Sequence, residues 1–190
     1  MRLVIRRHHF LFLAFALATS FRVAGAQKVP GVPNFHEVNP RVFRGAQPTV
    51  EGWNSLAKLG VKVIIDLRQD KEGGEHLTRA EAQTVQAAGM RYVNVPMKGI
   101  VAPSADQIAK ILGIMNGPDP VFVHCRLGKD RTGAVIASYR IAHDGWDSKR
   151  ALDEAKAIGL HWKELGIKRY ISRFTGAGTA PVQSELATKP

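Results

Sequence analysis

Ten consecutive residues carry the chemistry of this chain: His124-Cys125-Arg126-Leu127-Gly128-Lys129-Asp130-Arg131-Thr132-Gly133. They follow a short apolar run, Val121-Phe122-Val123, and precede a helical pattern. A loop between a buried strand and a helix N-terminus turns several backbone N–H groups toward one point and makes an anion nest. Gly128 permits backbone conformations that a β-carbon resists. The helix dipole and the side chains of Arg126, Lys129 and Arg131 all favour negative charge there. A thiol in such a field is expected to be a thiolate, hence a nucleophile. Arg131 can hold two oxygens of one phosphate in a planar fork, which a lysine cannot do. Nucleophile and anion binder therefore face one spot.

Cys125 is the chain's single cysteine, so no disulfide can form within the chain. A lone thiol is an oxidation liability unless it has a task, and a buried structural cysteine is the bland alternative. The N-terminus makes the question sharper. Met1 to His9 carries Arg2, Arg6 and Arg7, Phe10 to Ala18 is uninterruptedly apolar, and Ala24-Gly25-Ala26 suits a cleavage site. Residues 1–26 are therefore expected to be a secretory signal, with the chain exported to a periplasm or the exterior. The apolar run is about half the ~20 residues that a spanning helix needs, so no stable membrane span is expected. Removing the four arginines of residues 1–26 lowers the formal charge from +11 to +7. That excess favours anionic partners. No run of Lys/Arg with interleaved aromatics supports nucleic acid as one of them.

The elements that must position the loop are legible as an alternation. Arg41–Arg44 has a strand pattern, and Thr49 caps a helix that buries Trp53 and Leu56 and stops at Gly60. Val61–Leu67 is a β-branched strand, and Thr78 with Glu81 has the spacing of a capping box on a helix ending at Gly89. Tyr92–Val95 and Pro120–His124 are further strands. Between them Ser104 and Gln107 box the start of a helix carrying Ile108, Ile111, Leu112 and Met115. Val135, Ile136, Tyr139 and Ile141 lie on the helix after Thr132, Ser148 caps the next, and a last helix spans about Lys163 to Phe174. Residues 27–40 have the look of a lead-in and 176–190 of a frayed tail, which leaves 27–175 as the catalytic domain. The fold class expected is α/β: a central, mostly parallel sheet of four to five strands flanked by helices, with the phosphate-binding loop between the last strand and the following helix. Ligands of such sheets bind beyond the carboxyl ends of the strands, where Cys125 falls.

His-Cys, five residues, then Arg-Thr resembles the signature of the cysteine-based protein tyrosine phosphatases. The form Cys-x-x-Gly-Lys-x-Arg-Thr-Gly is similar to their atypical dual-specificity and phosphoinositide-phosphatase branches. Val42-Phe43-Arg44-Gly45-Ala46-Gln47-Pro48 and Val63-Ile64-Ile65-Asp66-Leu67-Arg68 resemble upstream segments of that branch. The resemblance implies that Cys125 becomes a phosphocysteine, that Arg131 binds phosphate and stabilises the transition state, and that the Thr132 hydroxyl supports the sulfur as it leaves. It implies that His124 helps set the thiolate and that the backbone over Arg126, Leu127, Gly128, Lys129 and on to Arg131 cradles the phosphate oxygens. It implies an anionic phosphorylated substrate, protein or inositol phosphate, no metal and no cofactor. A monomer is expected.

One departure stands out. Many members carry a general-acid Asp on a separate loop, and the corresponding stretch here, residues 96–103, has no carboxylate. Similarity to bacterial members with Lys-Asp-Arg at this place makes Asp130 the expected acid; Asp106 instead suits a helix first turn. Other residues keep two roles open. Arg44 and Gln47 line the pocket or serve packing and capping, and Asp66 with Arg68 suits an ion pair at a strand end. His161 and Trp162 form a pocket wall, or are a surface His and a core Trp, the latter being expected. Two competing functions are a rhodanese-like sulfurtransferase, whose loop is usually one residue shorter between Cys and Arg, and a non-catalytic phosphate binder. The five-residue spacing and the complete loop favour a phosphatase over both.

Overall fold

The computed structural model describes residues 28–70, 72 and 77–176; the expected signal segment lies outside them. The sheet has five strands in the order β1-β2-β5-β3-β4: β1 His36–Asn39, β2 Val42–Gly45, β3 Val63–Asp66, β4 Arg91–Asn94 and β5 Val121–His124. All neighbours are parallel except the edge pair β1–β2. The α/β class, parallel sheet and strand count match the expectation. β1 is an addition. Its His36-Glu37-Val38-Asn39 pattern is polar because an edge strand is only half buried, and so it resembled a lead-in.

The parallel register brings four residues side by side at the carboxyl edge: Gly45 of β2, His124 of β5, Asp66 of β3 and, beyond it, Asn94 of β4. Alternation along β5 sends Phe122 to one face, and Val121 and Val123 to the other. Both faces are covered, which is why β3 and β5 are apolar up to their last residues, Asp66 and His124. On the first face α1 (Val50–Lys58) and α2 (Leu77–Ala87) contribute Trp53, Leu56 and Val85. On the second, α3 (Ala105–Met115) and α4 (Asp130–Ala142) contribute Ile108, Ile111, Leu112, Val135, Ile136 and Tyr139. Helix α4 is buried over Arg131–Tyr139 because α5 (Ser148–Ala157) and α6 (Leu165–Arg173) close its outer side.

The caps expected at Thr49 and at the Ser104–Gln107 box are present. Two others are corrected. The α5 cap is Asp147, whose carboxylate accepts from the Arg150 N–H, one residue before Ser148. Thr78 does not cap α2, since it lies inside the helix. Thr78 instead bonds Asp70, and the Glu81 side chain is drawn into a buried network of opposite charges. Trp162 is also corrected: it lies 70% exposed in the α5–α6 connection rather than in the core.

Candidate active site

The loop after β5 is shaped from outside. The Arg126 carbonyl accepts from the Gln47 N–H at 3.3 Å, the Leu127 and Gly128 carbonyls from Asn34 Nδ2 at 3.3 and 3.2 Å, and the Gly128 carbonyl also from Arg44 Nη2 at 2.8 Å. With three successive carbonyls claimed by residues 34–47, the N–H groups of the loop are left for a ligand. Gly128 has a positive φ of 68°, and a Cβ there would stand 2.3 Å from the Gly45 carbonyl carbon, so no other residue fits. Helix α4 starts at Asp130 with no side-chain cap, whereas α1, α3 and α5 each have one. Its first-turn N–H groups keep their donors for the same spot.

Cys125 is 2% exposed, at the floor of this loop. Thr132, on the first turn of α4, is buried and its hydroxyl has no hydrogen-bond partner. Arg131 is 6% exposed and its guanidinium is held at one end. Nη1 and Nη2 both bond the Glu72 carboxylate, and Nη1 also donates to the carbonyls of Leu67 and Met97 at 3.4 Å. A guanidinium has five N–H donors in a planar fork. These contacts leave the edge formed by Nε–H and the second Nη2–H, which is the two-oxygen grip a phosphate needs. The Arg131 hydrogen bond is also the first reason that the Glu72 carboxyl is held below the ordinary carboxylate range.

Under the loop lies a buried polar network. Arg68 donates to Asp66 from Nε at 2.9 Å and from Nη2 at 2.7 Å, and also bonds Glu81. Gln47 donates to Glu81, and the Tyr92 hydroxyl to Asp66 at 2.7 Å. The fully buried His124 has Nε2 3.0 Å from Glu81 Oε1, without the alignment of a hydrogen bond, and 3.9 Å from Asp66 Oδ1. The rings of Trp53 and Phe122 flank it at 5.7 and 5.8 Å between centroids. Burial alone would raise the Asp66 carboxyl; the charges of His124 and Arg68 and the hydrogen bonds of Arg68 and Tyr92 outweigh it and lower it. The expected Asp66–Arg68 pair is thus present. Asp66, Glu81 and His124 also lie close enough to ligate one cation, but Arg68 already supplies the positive charge to both carboxylates.

The rim holds the remaining residues. Arg126 and Lys129 are exposed, and Leu127 is 55% exposed beside them. The Lys129 stem lies 3.2 Å from where a Cβ of Gly159 would stand, a position that also has a φ of +110°. The Asp130 carboxylate accepts from the His161 N–H at 2.8 Å through Oδ1. The stretch without a carboxylate, residues 96–103, borders the site through the Met97 carbonyl that Arg131 reaches. Asn34, Glu72 and Glu81 are the residues that sequence reasoning missed as site elements. Only Glu81 was singled out in the sequence, as a cap.

The chain matches a family model described as PTP-NADK, DSP-PTPase phosphatase fused to NAD+ kinase, over residues 25–168. It belongs to this dual-specificity phosphatase family. The resemblance in the loop and the flanking segments is thereby explained: this is an atypical dual-specificity member of the cysteine-based tyrosine phosphatase superfamily. Among its relatives, dual specificity protein phosphatase TpbA of Pseudomonas aeruginosa is 30% identical over 139 residues, 72% of this chain and 60% of that one. This chain thus spans less than two thirds of that relative's length. The inositol diphosphatase DSP5 of Arabidopsis thaliana is 26% identical over 148 residues, 75% of this chain and 70% of that one. The dual-specificity phosphatase fold also recurs in the catalytic domain of the PP-IP phosphatase SIW14 of S. cerevisiae. That structure has a TM-score of 0.69 and 24% identity, with 80% of this chain and 91% of that one covered.

Proposed function

We propose that this chain hydrolyses phosphate monoesters through a phosphocysteine intermediate. The observation that carries the reading is the outward claim on the Arg126, Leu127 and Gly128 carbonyls, which leaves an N–H nest in front of Cys125 beside the open edge of Arg131. The Cys125 thiolate attacks phosphorus, forming the S–P bond as the ester P–O bond breaks. Asp130 gives its proton to the leaving oxygen. Water then attacks phosphorus, Asp130 takes its proton, and the S–P bond breaks to return the thiolate and inorganic phosphate. Thr132, whose buried hydroxyl has no other partner, donates to the sulfur as it leaves. Charge developing on the phosphoryl oxygens is met by the backbone N–H groups and Arg131.

The choice of Asp130 rests on the neighbouring acids. Glu72 is bound to Arg131, Asp66 and Glu81 are buried against Arg68, and residues 96–103 offer none. Asp130 keeps one carboxylate oxygen beyond its bond to His161. The substrate is a phosphorylated protein or an inositol phosphate, the classes that the names of TpbA and of the DSP5 and SIW14 relatives suggest. Arg126 and Lys129 at the rim favour the more highly charged of them. Phosphate release from phosphotyrosine peptide, phosphoserine peptide and inositol polyphosphates, with Cys125→Ser as control, tests the reading. Release undiminished in the pure Cys125→Ser protein would refute the covalent route. We further read the chain as exported and cleaved after Ala26, which N-terminal sequencing of secreted protein checks.

A further inference from the structure

Arg44 presents an electrostatic problem. It lies on β2 beside Val123 of β5 and is completely buried. One nitrogen, Nη2, donates to the Gly128 carbonyl at 2.8 Å, while Nε and Nη1 have no hydrogen-bond partner. Among the described residues no carboxylate stands within ion-pair distance. The nearest help is at longer range, from Glu154 first and Cys125 second, and Glu154 is already paired with Arg140. Nη2 is also 4.0 Å from where a Cβ of Gly133 would stand, against the first turn of α4. A helix N-terminus carries positive partial charge, so a cation there is misplaced. Burial pushes the guanidinium down to about 10. A buried charge so poorly compensated destabilises a protein, and an apolar side chain of like size would serve the fold better. The empty protein supplies no reason to keep an arginine at this position.

The reason lies on the other side of Gly128. We propose that Arg44 is a positioning residue, the buried counter-charge of whatever anion occupies the loop: it destabilises the empty protein and holds the bound anion more tightly. Its bond to Gly128 keeps that carbonyl turned away from the nest, and its field reaches the thiolate and the phosphate through a single layer of backbone. Arg131 grips the anion from the front and Arg44 attracts it from behind. The inference rests on the phosphate-binding reading of the loop. A simple structural clamp would behave differently, because removing a clamp lowers stability whether or not an anion is bound.

The test uses the full chain, orthovanadate as the probe, and two readouts: vanadate affinity and the thermal midpoint without vanadate. Arg44→Met, a neutral side chain of similar length, should leave the vanadate-free midpoint unchanged or raised. It should weaken vanadate binding by at least about tenfold, the scale of one charge-assisted hydrogen bond. Arg44→Lys keeps the charge and should stay within about threefold of the parent's affinity. An Arg44→Met protein that does not fold, or whose midpoint falls while its vanadate affinity is intact, would show a structural clamp and overturn the inference. A folded Arg44→Lys protein as weak as Arg44→Met would overturn the charge argument in particular. If the unaltered chain binds neither vanadate nor phosphate, the phosphatase reading itself fails; if it binds them and Arg44→Met binds equally well, only the counter-charge is lost.

Discussion

Glu72 holds the end of the Arg131 guanidinium and leaves its side edge open. Both terminal nitrogens of Arg131 bond the carboxylate, and the Leu67 and Met97 carbonyls take up what Nη1 has left. A long flexible cation is thereby fixed in one rotamer before any phosphate arrives, which removes an entropic penalty from binding.

Glu72→Gln should therefore lower kcat/KM for an aryl phosphate by about tenfold, since a misplaced transition-state donor costs rate as well as affinity. Steady-state kinetics on the purified variant measure this. A gain in phosphate affinity would show instead that the Glu72 carboxylate competes with substrate for Arg131.

Asp130→Asn should separate substrates by their leaving groups. A positioned acid is worth roughly 10²–10⁴-fold when the alcohol leaves poorly. Turnover of phenyl phosphate should fall within that range, and that of an activated nitrophenyl phosphate should fall far less. An equal fall on both would assign Asp130 to shape alone, through its bond to His161.

Glu81→Ala should unfold or severely destabilise the protein. It leaves Arg68 with one buried carboxylate instead of two, and Gln47 without its acceptor. Breaking a buried charge network of this kind costs about 3–5 kcal/mol. Chemical denaturation measures the loss; a change below about 1 kcal/mol, the range of exposed pairs, would contradict the network's role.

Acid should destabilise the fold through two other carboxylates, Glu72 and Asp66. The Glu72 carboxyl is lowered by Arg131 and the Asp66 carboxyl by His124, Arg68 and Tyr92 against the opposing effect of burial. A depressed folded-state value means that the unfolded chain takes up protons first. The stabilisation is thus complete above the ordinary carboxylate value of about 4 and is lost as pH falls through the lower folded values. Denaturation midpoints recorded from pH 7 to 3 should be flat down to about pH 5 and then drop. A drop already between pH 7 and 6 would implicate a histidine instead.

Much of this is legible in the sequence. The alternation of apolar strands with capped helices identifies the parallel sheet, because strands buried on both faces are apolar along their length, as residues 63–65 and 121–123 are before the polar ends Asp66 and His124. The loop from His124 to Thr132 was legible because its parts are adjacent in the chain, so spacing alone places the thiol, the glycine and the arginine around one point. The failures share a cause as well. Glu81 looked like a cap because Thr78 stands three residues before it, and local spacing does not record that Arg68 and His124 wait across the sheet edge.

What the sequence alone determined is that the thiol of Cys125, Gly128 and Arg131 sit on one strand-loop-helix: short-range chemistry, set by neighbours in the chain. What only the tertiary structure decided is who holds that machinery in place. Arg44 meets Gly128 from 84 residues away, Asn34 meets Leu127 from 93, and Glu72 meets Arg131 from 59. Parallel strand pairing brings such residues to one edge, since it aligns Gly45, His124 and Asp66 regardless of the length of chain between them. A periodic pattern states that a strand exists, but the partners of its last residues depend on which strands lie beside it.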